Sequence, residues 1–236
     1  MPVPLHSPGM LLVYVVKRIV RLRIVDLTRP LSPETRVYPG DPPVRIEAIA
    51  DIEKDGYYNR LLHVHEHVGT HVDAPAHMIQ GGATIDMLEP ARLVAPAVVM
   101  DLSNACGPVT SREIIAALRL RRLPLPQNGW YLLLRIGGGC RSISIDAAEW
   151  MVRMKLAGLG VDAASPDGPP YNVHRVLLSS NMLIIENLNI PSMLDGEIVT
   201  IVVAPLLVKG GSGAPARVYA LLDGGRLGKW LRGEQV

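Results

Sequence analysis

The chain has 236 residues, of which 48% are hydrophobic and 19% charged, and a formal net charge of +2. That profile fits one globular domain large enough to bury a sizeable core. The near-neutral charge leaves no electrostatic footprint for nucleic acid. The most apolar early run, Leu11 to Val16, is far too short to span a bilayer.

In chain order, the MPVPLHSPG lead-in reads as a tail, with Met10 closer to the start of the folded part. The apolar run that follows is cut off at Lys17 and Arg18. A secretory signal carries its positive charges before the apolar stretch, so the expected location is cytoplasmic. Lys17, Arg18, Arg21 and Arg23 form a short basic stripe, read as a solvated face. Residues 1–22 are expected to be an N-terminal extension that could hold a first strand, and residues 23–236 one domain. Val- and Ile-rich runs bounded by Gly, Pro, Asn or Asp predict strands at Arg23 to Asp26, Val44 to Ala50, Ala97 to Leu102, Trp130 to Arg135, Met182 to Glu186, Ile198 to Ala204 and Arg217 to Leu222. Thr110 with Glu113 is a capping box opening a helix to about Leu120. Ser144 is expected to cap a second helix to Ala157, and Asn172 a third ending near Asn181. This order implies an α/β or α+β domain with a mixed sheet. Cys106 and Cys140 make no disulfide framework and lack C-x-x-C spacing, so neither is counted as a ligand.

The chemistry concentrates in residues 67–77, HVGTHVDAPAH, where three histidines and an aspartate fall within eleven positions. His and Asp are ligands that Zn²⁺ and similar metals prefer. His67 and His71 would share a helix face, but Gly69, the β-branched Thr70 and Val72, and Pro75 argue against a helix. The better reading is a strand, a tight turn at Gly69 and an extended run. In that run His71 and Asp73 point to one side, Gly69 lets His67 fold back towards them, and His77 comes close after the proline. Three ligands are too few, so others must come from elsewhere. His174, in the first turn of the third helix, and Glu186, at the end of the strand MLIIE, are the candidates, because a helix followed by an antiparallel strand can bring these ends together.

HVGTHVDAPAH resembles the signature H-x-G-T-H-x-D-x-P-x-H of the cyclase family of metal-dependent hydrolases, which includes bacterial kynurenine formamidase (arylformamidase). VDLTRPLSPETRVYPGDPP is similar to that family's opening strand and Pro-Gly-Asp turn, and LLLRIGGG to its L-L-R-T-G stretch. GLGVDAASPD, HRVLLSSNMLIIENL and PARVYAL resemble later segments in the right order. The resemblance implies a single swivelling β/β/α domain with a mixed central sheet flanked by helices, assembled as a homodimer or homotetramer. It implies that His67, His71 and Asp73 bind a first metal, that Asp73 bridges to a second held also by His174, and that Glu186 contacts both. His77 would be the proton donor and acceptor. Two Zn²⁺ ions are the formamidase pattern, and Mn²⁺ is the alternative seen in relatives such as isatin hydrolase. The implied reaction is hydrolysis of N-formyl-L-kynurenine, a step of tryptophan catabolism, or of a similar aryl formamide.

Two positions depart from the formamidase pattern. Tyr38 stands where a Trp packs on the aromatic substrate, and Ile136 replaces the Thr of L-L-R-T-G. Tyr38 can still stack on a ring and is the expected substrate contact. Other readings stay open: a hydrolase or dehydratase acting on a cyclic amide, lactone or hydroxy acid derivative, or a non-catalytic metal-binding relative. His63 and His65 alternate with His67 and are expected on one strand face, near the pocket or at an interface. Lys209 to Gly213, KGGSG, does not match a phosphate loop and reads as an active-site or surface loop. Arg217 is expected to pair with a nearby carboxylate. With no G-x-S-x-G elbow, a serine hydrolase is disfavoured.

Overall fold

The computed structural model describes residues 23–137, 139–224 and 226–227. The expected N-terminal extension, the Leu11 to Val16 run and Lys17, Arg18 and Arg21 of the basic stripe lie outside those residues. The elements in order are β1 (Arg23–Asp26), β2 (Arg45–Ala50), α1 (Ile52–Asp55), β3 (Asn59–His63), β4 (His71–Asp73), β5 (Val94–Asp101), β6 (Gly107–Val109), α2 (Ser111–Leu120), β7 (Tyr131–Arg135), β8 (Arg141–Ile143), α3 (Ile145–Arg153), β9 (Gly158–Val161), α4 (Asn172–Ser179), β10 (Leu183–Glu186), β11 (Ile198–Pro205) and β12 (Gly213–Leu222). No helix among the described residues is long and apolar enough to cross a membrane.

Eight strands form a mixed sheet in the order β1-β12-β11-β5-β7-β9-β10-β4, and β4 also pairs with β12. The sheet therefore closes on itself, and three-residue β4 is the strand that closes it. Strand periodicity sorts the apolar residues into two cores. Ala97, Val99, Tyr131, Leu133, Leu183 and Ile185 face the enclosed side with Val72 and Val218. Val98, Met100, Leu132, Leu134 and Ile184 face outward and are covered by α2, α3 and α4 through Ile114, Met151, Val173 and Leu177. The α/β architecture is the one expected, and all seven predicted strands are present within a few residues.

The helix ends show where local signals give way to tertiary ones. Thr110 caps α2 by accepting from the Glu113 N–H at 3.2 Å. The capping box is only half made, because the Glu113 carboxylate takes Arg141 instead, at 2.7 and 2.6 Å. Ser144 caps α3 as expected, but the helix ends at Arg153, short of Ala157, where Lys155 turns to φ 56° and the chain enters β9. Asn172 is not the cap of α4. Tyr171 occupies that place at φ 60° with no side-chain cap, and the Asp167 carboxylate receives the Val173 N–H at 2.7 Å in its stead. The histidine alternation also fails as a strand: β3 stops at His63, and the chain turns through residues 64–70.

The two cysteines are the clearest correction: Cys106 and Cys140 are joined as a disulfide. They sit in the loops that follow β5 and β7, which are parallel neighbours, so these loops leave the sheet side by side. Thirty-four residues of separation in sequence hid that proximity. Arg217 meets its expected carboxylate, with its Nε 2.9 Å from Asp26.

Strand β9 carries little sequence signal because its glycines are dictated by neighbours rather than by propensity. A Cβ on Gly158 would lie 2.4 Å from the Tyr131 ring and 2.7 Å from the Leu183 carbonyl oxygen. Gly168 has open space around it. Gly158→Ala should therefore lower stability by roughly 1–3 kcal/mol in urea denaturation, as overpacking does, while Gly168→Ala should leave it near wild type. Equal stability of the two variants would contradict the packing described for β9.

Candidate metal centre

Antiparallel pairing of β4 with β10 sets His71 opposite Glu186 and Asp73 opposite Ile184. Directly paired residues share a face. Ile184 points to the helix-covered side, so His71, Asp73 and Glu186 do too, beneath the start of α4. His174 lies in the first turn of α4 and reaches down from above. The turn at Gly69, φ 61°, brings His67 back over the strand. Pro75 opens a 3₁₀ turn over Pro75–His77 that delivers His77 to the same place.

The distances are short. His71 Nε2 is 3.3 Å from both Asp73 Oδ1 and Glu186 Oε2. His174 Nε2 is 3.2 Å from Glu186 Oε1 and 3.7 Å from Asp73 Oδ2. His67 Nδ1 is 2.7 Å from Asp73 Oδ1. His77 stacks on His67 with ring centroids 3.9 Å apart. Asp73, His71, His174 and Glu186 are 1%, 2%, 3% and 6% exposed, so four ionisable groups share a dry space. Every residue singled out in sequence for the site is brought together here, Tyr38 included, at the mouth of the same pocket.

Burial of this kind has a large electrostatic cost unless charges are matched. Burial pulls the His71 imidazole down, but Asp73 and then Glu186 outweigh it and raise it to about 10. His174 is likewise lowered by burial and raised more by Asp167, Asp73 and Glu186, to about 11. Burial pushes the Asp73 carboxyl up, and His174, His67 and His71 together hold it well below the ordinary carboxylate range. His77 differs in kind. Burial lowers it, and neighbouring His67 and His174 lower it further against the pull of Asp73 and Glu186.

The residues fit a metal. Asp73 Oδ2 and Glu186 Oε1 are buried and accept no hydrogen bond of good geometry, so two anionic oxygens face the space between the imidazoles. His67, Asp73 and His77 form one group with ligand atoms within 4.8 Å of one another, and His71, Asp73 and Glu186 form another. Asp73 belongs to both, as a bridging carboxylate would. The first group also contains His77, so proximity alone does not separate a ligand from a proton carrier.

Three supporting residues were not singled out individually in the sequence, although Ser212 lies in KGGSG and Asp167 ends GLGVDAASPD. Asp167 holds His174 Nδ1 at 2.5 Å. Ser212 Oγ lies 2.9 Å from His67 Nε2, and Glu66 lies behind Ser212. KGGSG thus belongs to the site. His65 lines the pocket beside Asp41, at 3.9 Å, and His63 stands 3.2 Å from Glu47, outside it. Ile136 is buried in the helix-side core, and Asp162 takes the Ile136 and Gly137 N–H groups at 2.7 and 3.1 Å. The cavity above the cluster has a volume of about 260 Å³, with Arg36, Tyr38, Asp41 and Tyr171 at its rim. Tyr38 and Tyr171 meet through their hydroxyls at 2.7 Å.

Comparison with known proteins places these features. An isatin hydrolase of Roseibium aggregatum is 28% identical over 244 residues, covering 85% of this chain and 92% of the relative. A kynurenine formamidase of Salinibacter ruber is 29% identical over 215 residues, covering 83% and 96%. Among solved structures, isatin hydrolase A from Ralstonia solanacearum superposes with a TM-score of 0.76 at 28% identity, covering 86% of this chain and 93% of that one. An isatin hydrolase bound to the product analogue thioisatinate gives 0.76 at 25% identity, covering 85% and 92%. The family described as putative cyclase matches residues 25–168. That match spans more than half of the chain and runs from β1 through the whole HVGTHVDAPAH segment to Asp167, so the protein belongs to the cyclase family.

Proposed function

We propose that this chain is a metal-dependent hydrolase of carbon–nitrogen bonds, with an aryl formamide such as N-formyl-L-kynurenine as substrate. One observation carries the reading: two buried carboxylates, Asp73 and Glu186, converge on three imidazoles beneath an aromatic-rimmed pocket. His67, His71, Asp73, His174 and Glu186 would hold the metal, and three nitrogens with two carboxylates suit Zn²⁺, as one or two ions, or Mn²⁺. Bound there, a divalent ion supplies a Lewis acid that acidifies water and polarises a carbonyl. His77 takes a proton from the attacking water and returns it to the leaving nitrogen, so that water adds across the C–N bond to give a carboxylic acid and an amine. Its lowered pKa keeps the imidazole neutral at physiological pH and able to accept that proton. Tyr38 and Tyr171 would flank an aromatic ring. Arg36, exposed at the rim and without a hydrogen bond or ion pair among the described residues, would meet an anionic group.

A second reading has equal support: a cyclic aryl amide such as isatin, favoured by the likeness to isatin hydrolases in sequence and in structure. Turnover of metal-loaded protein on N-formylkynurenine, isatin and cyclic imides separates the two, and no turnover at full metal occupancy would overturn both. The proposal includes a homodimer or homotetramer. The β2–β3 hairpin supports it, since among the described residues it pairs with no third strand and exposes Ile49, Tyr57, Tyr58, Leu61 and Leu62. A cytoplasmic location is also part of the proposal.

Three outcomes follow from these roles. In the absence of metal, His71 and His174 stay protonated, because both pKa values are raised far above neutrality. Ligation needs the neutral imidazoles, so metal uptake near neutral pH should release about two protons per filled site. Calorimetry in buffers of different ionisation enthalpy reads this, and uptake without proton release would contradict the ligand assignment. His77→Ala should retain metal while kcat falls by about 10²–10⁴-fold. Loss of metal in that variant would make His77 a ligand, and retained turnover would remove it from the chemistry. Arg36→Ala should raise KM about tenfold for a carboxylate-bearing substrate and leave neutral isatin nearly unaffected. An equal effect on the two would remove Arg36 from substrate recognition.

A further inference from the structure

We infer that Ser212 and Glu66 are a positioning pair that sets the tautomer of His67 and presents its Nδ1 to the metal, an inference that rests on the metal reading above. Both the backbone N–H and the hydroxyl of Ser212 donate to one carboxylate oxygen, Glu66 Oε2, at 2.9 and 2.7 Å. A serine hydroxyl has a single hydrogen. With that hydrogen committed to Glu66, Ser212 Oγ can meet His67 Nε2, 2.9 Å away, only as an acceptor. Nε2 therefore carries a proton, so His67 can bind a metal only through Nδ1. Nδ1 is the nitrogen turned towards Asp73 Oδ1, at 2.7 Å, and a metal ion held by both atoms would replace that hydrogen bond.

The other two imidazoles are held by the opposite nitrogen. His71 Nδ1 donates to the Gly69 carbonyl at 2.9 Å, and His174 Nδ1 meets the Asp167 carboxylate at 2.5 Å. Each of those two thus turns Nε2 inward, while His67 turns Nδ1. Each histidine has one acceptor behind it, the arrangement that fixes ligand orientation in metal sites. The glycines around Ser212 make the approach possible. A Cβ on Gly213 would lie 2.5 Å from His67 Cε1, and one on Gly211 would lie 3.0 Å from Glu66 Oε1. The KGGSG turn is shaped to bring a hydroxyl against one ring.

The test uses purified full-length protein, zinc as the probe and ¹⁵N spectra of the histidine side chains. In zinc-loaded wild type, His67 should be liganded through Nδ1 with a protonated Nε2 in slow exchange with solvent. Ser212→Ala should weaken zinc binding about ten- to a hundredfold and lose that protected Nε2–H, and Ser212→Thr should restore most of both. Ligation through His67 Nε2 would overturn the inference, as would Ser212→Ala with zinc affinity within about twofold of wild type. Should Ser212→Ala fail to fold, Glu66→Gln keeps an acceptor but removes the charge. It should then show a several-fold weaker affinity at wild-type circular dichroism, and unchanged affinity would likewise overturn the pair's role. Wild-type protein that takes up no zinc would overturn the metal reading itself and this inference with it.

Discussion

Two carboxylates buried side by side set the terms for the rest of the structure. Asp73 and Glu186 lie on neighbouring strands, facing the same way, with almost no access to water. Such a pair persists only where positive charge is brought to it. The chain brings imidazoles to it from three directions: a turn over the strand for His67, the strand itself for His71, and a helix laid across it for His174. The order β9-β10-β4 and the placement of α4 above it can be read as the geometry that this pair requires.

Asp73 and Glu186 both raise the proton affinity of His71 and His174, and one divalent ion in place of two protons would bring the same charge. His77 stands apart, because the groups around it lower its affinity for a proton instead of raising it. Two imidazoles that bind protons tightly and one that binds them loosely divide holding from transferring, inside a space a few ångströms across.

The first arm of the site was legible because its geometry is local. Gly69 and Pro75 rule out a helix, and a two-residue spacing on an extended run aligns His71 with Asp73 whatever the fold. The second arm was legible only in outline. A first-turn histidine and a strand-end glutamate are common, and it is the register of β10 on β4 that makes them meet. The roles of Asp167, Glu66 and Ser212 were not legible, even where their segments stood out, because each acts through another residue, across a turn or from the far end of the chain. The disulfide was hidden for the same reason: the parallel pairing of β5 and β7, not spacing, brings Cys106 to Cys140. Asn172 misled because a strong local cap lost to Asp167, a carboxylate five residues earlier already committed to the same helix start. Strand β9 gives no clear signal in the sequence because its glycines answer to the Tyr131 ring and the Leu133 side chain rather than to β propensity.

Strand β4 closes the sheet between β10 and β12 with only three residues, and two of them belong to the cluster. So short a seam has few ladder hydrogen bonds of its own to resist parting. Opening it would separate Asp73 and His71 from Glu186, and so dismantle the site. Occupancy and closure are therefore linked quantities: an ion that binds only the closed ring raises the free energy of opening by RT ln(1 + [ion]/Kd). Two of the three residues of β4, His71 and Asp73, thus serve both the cluster and the latch of the barrel, and a bound ion would lock it.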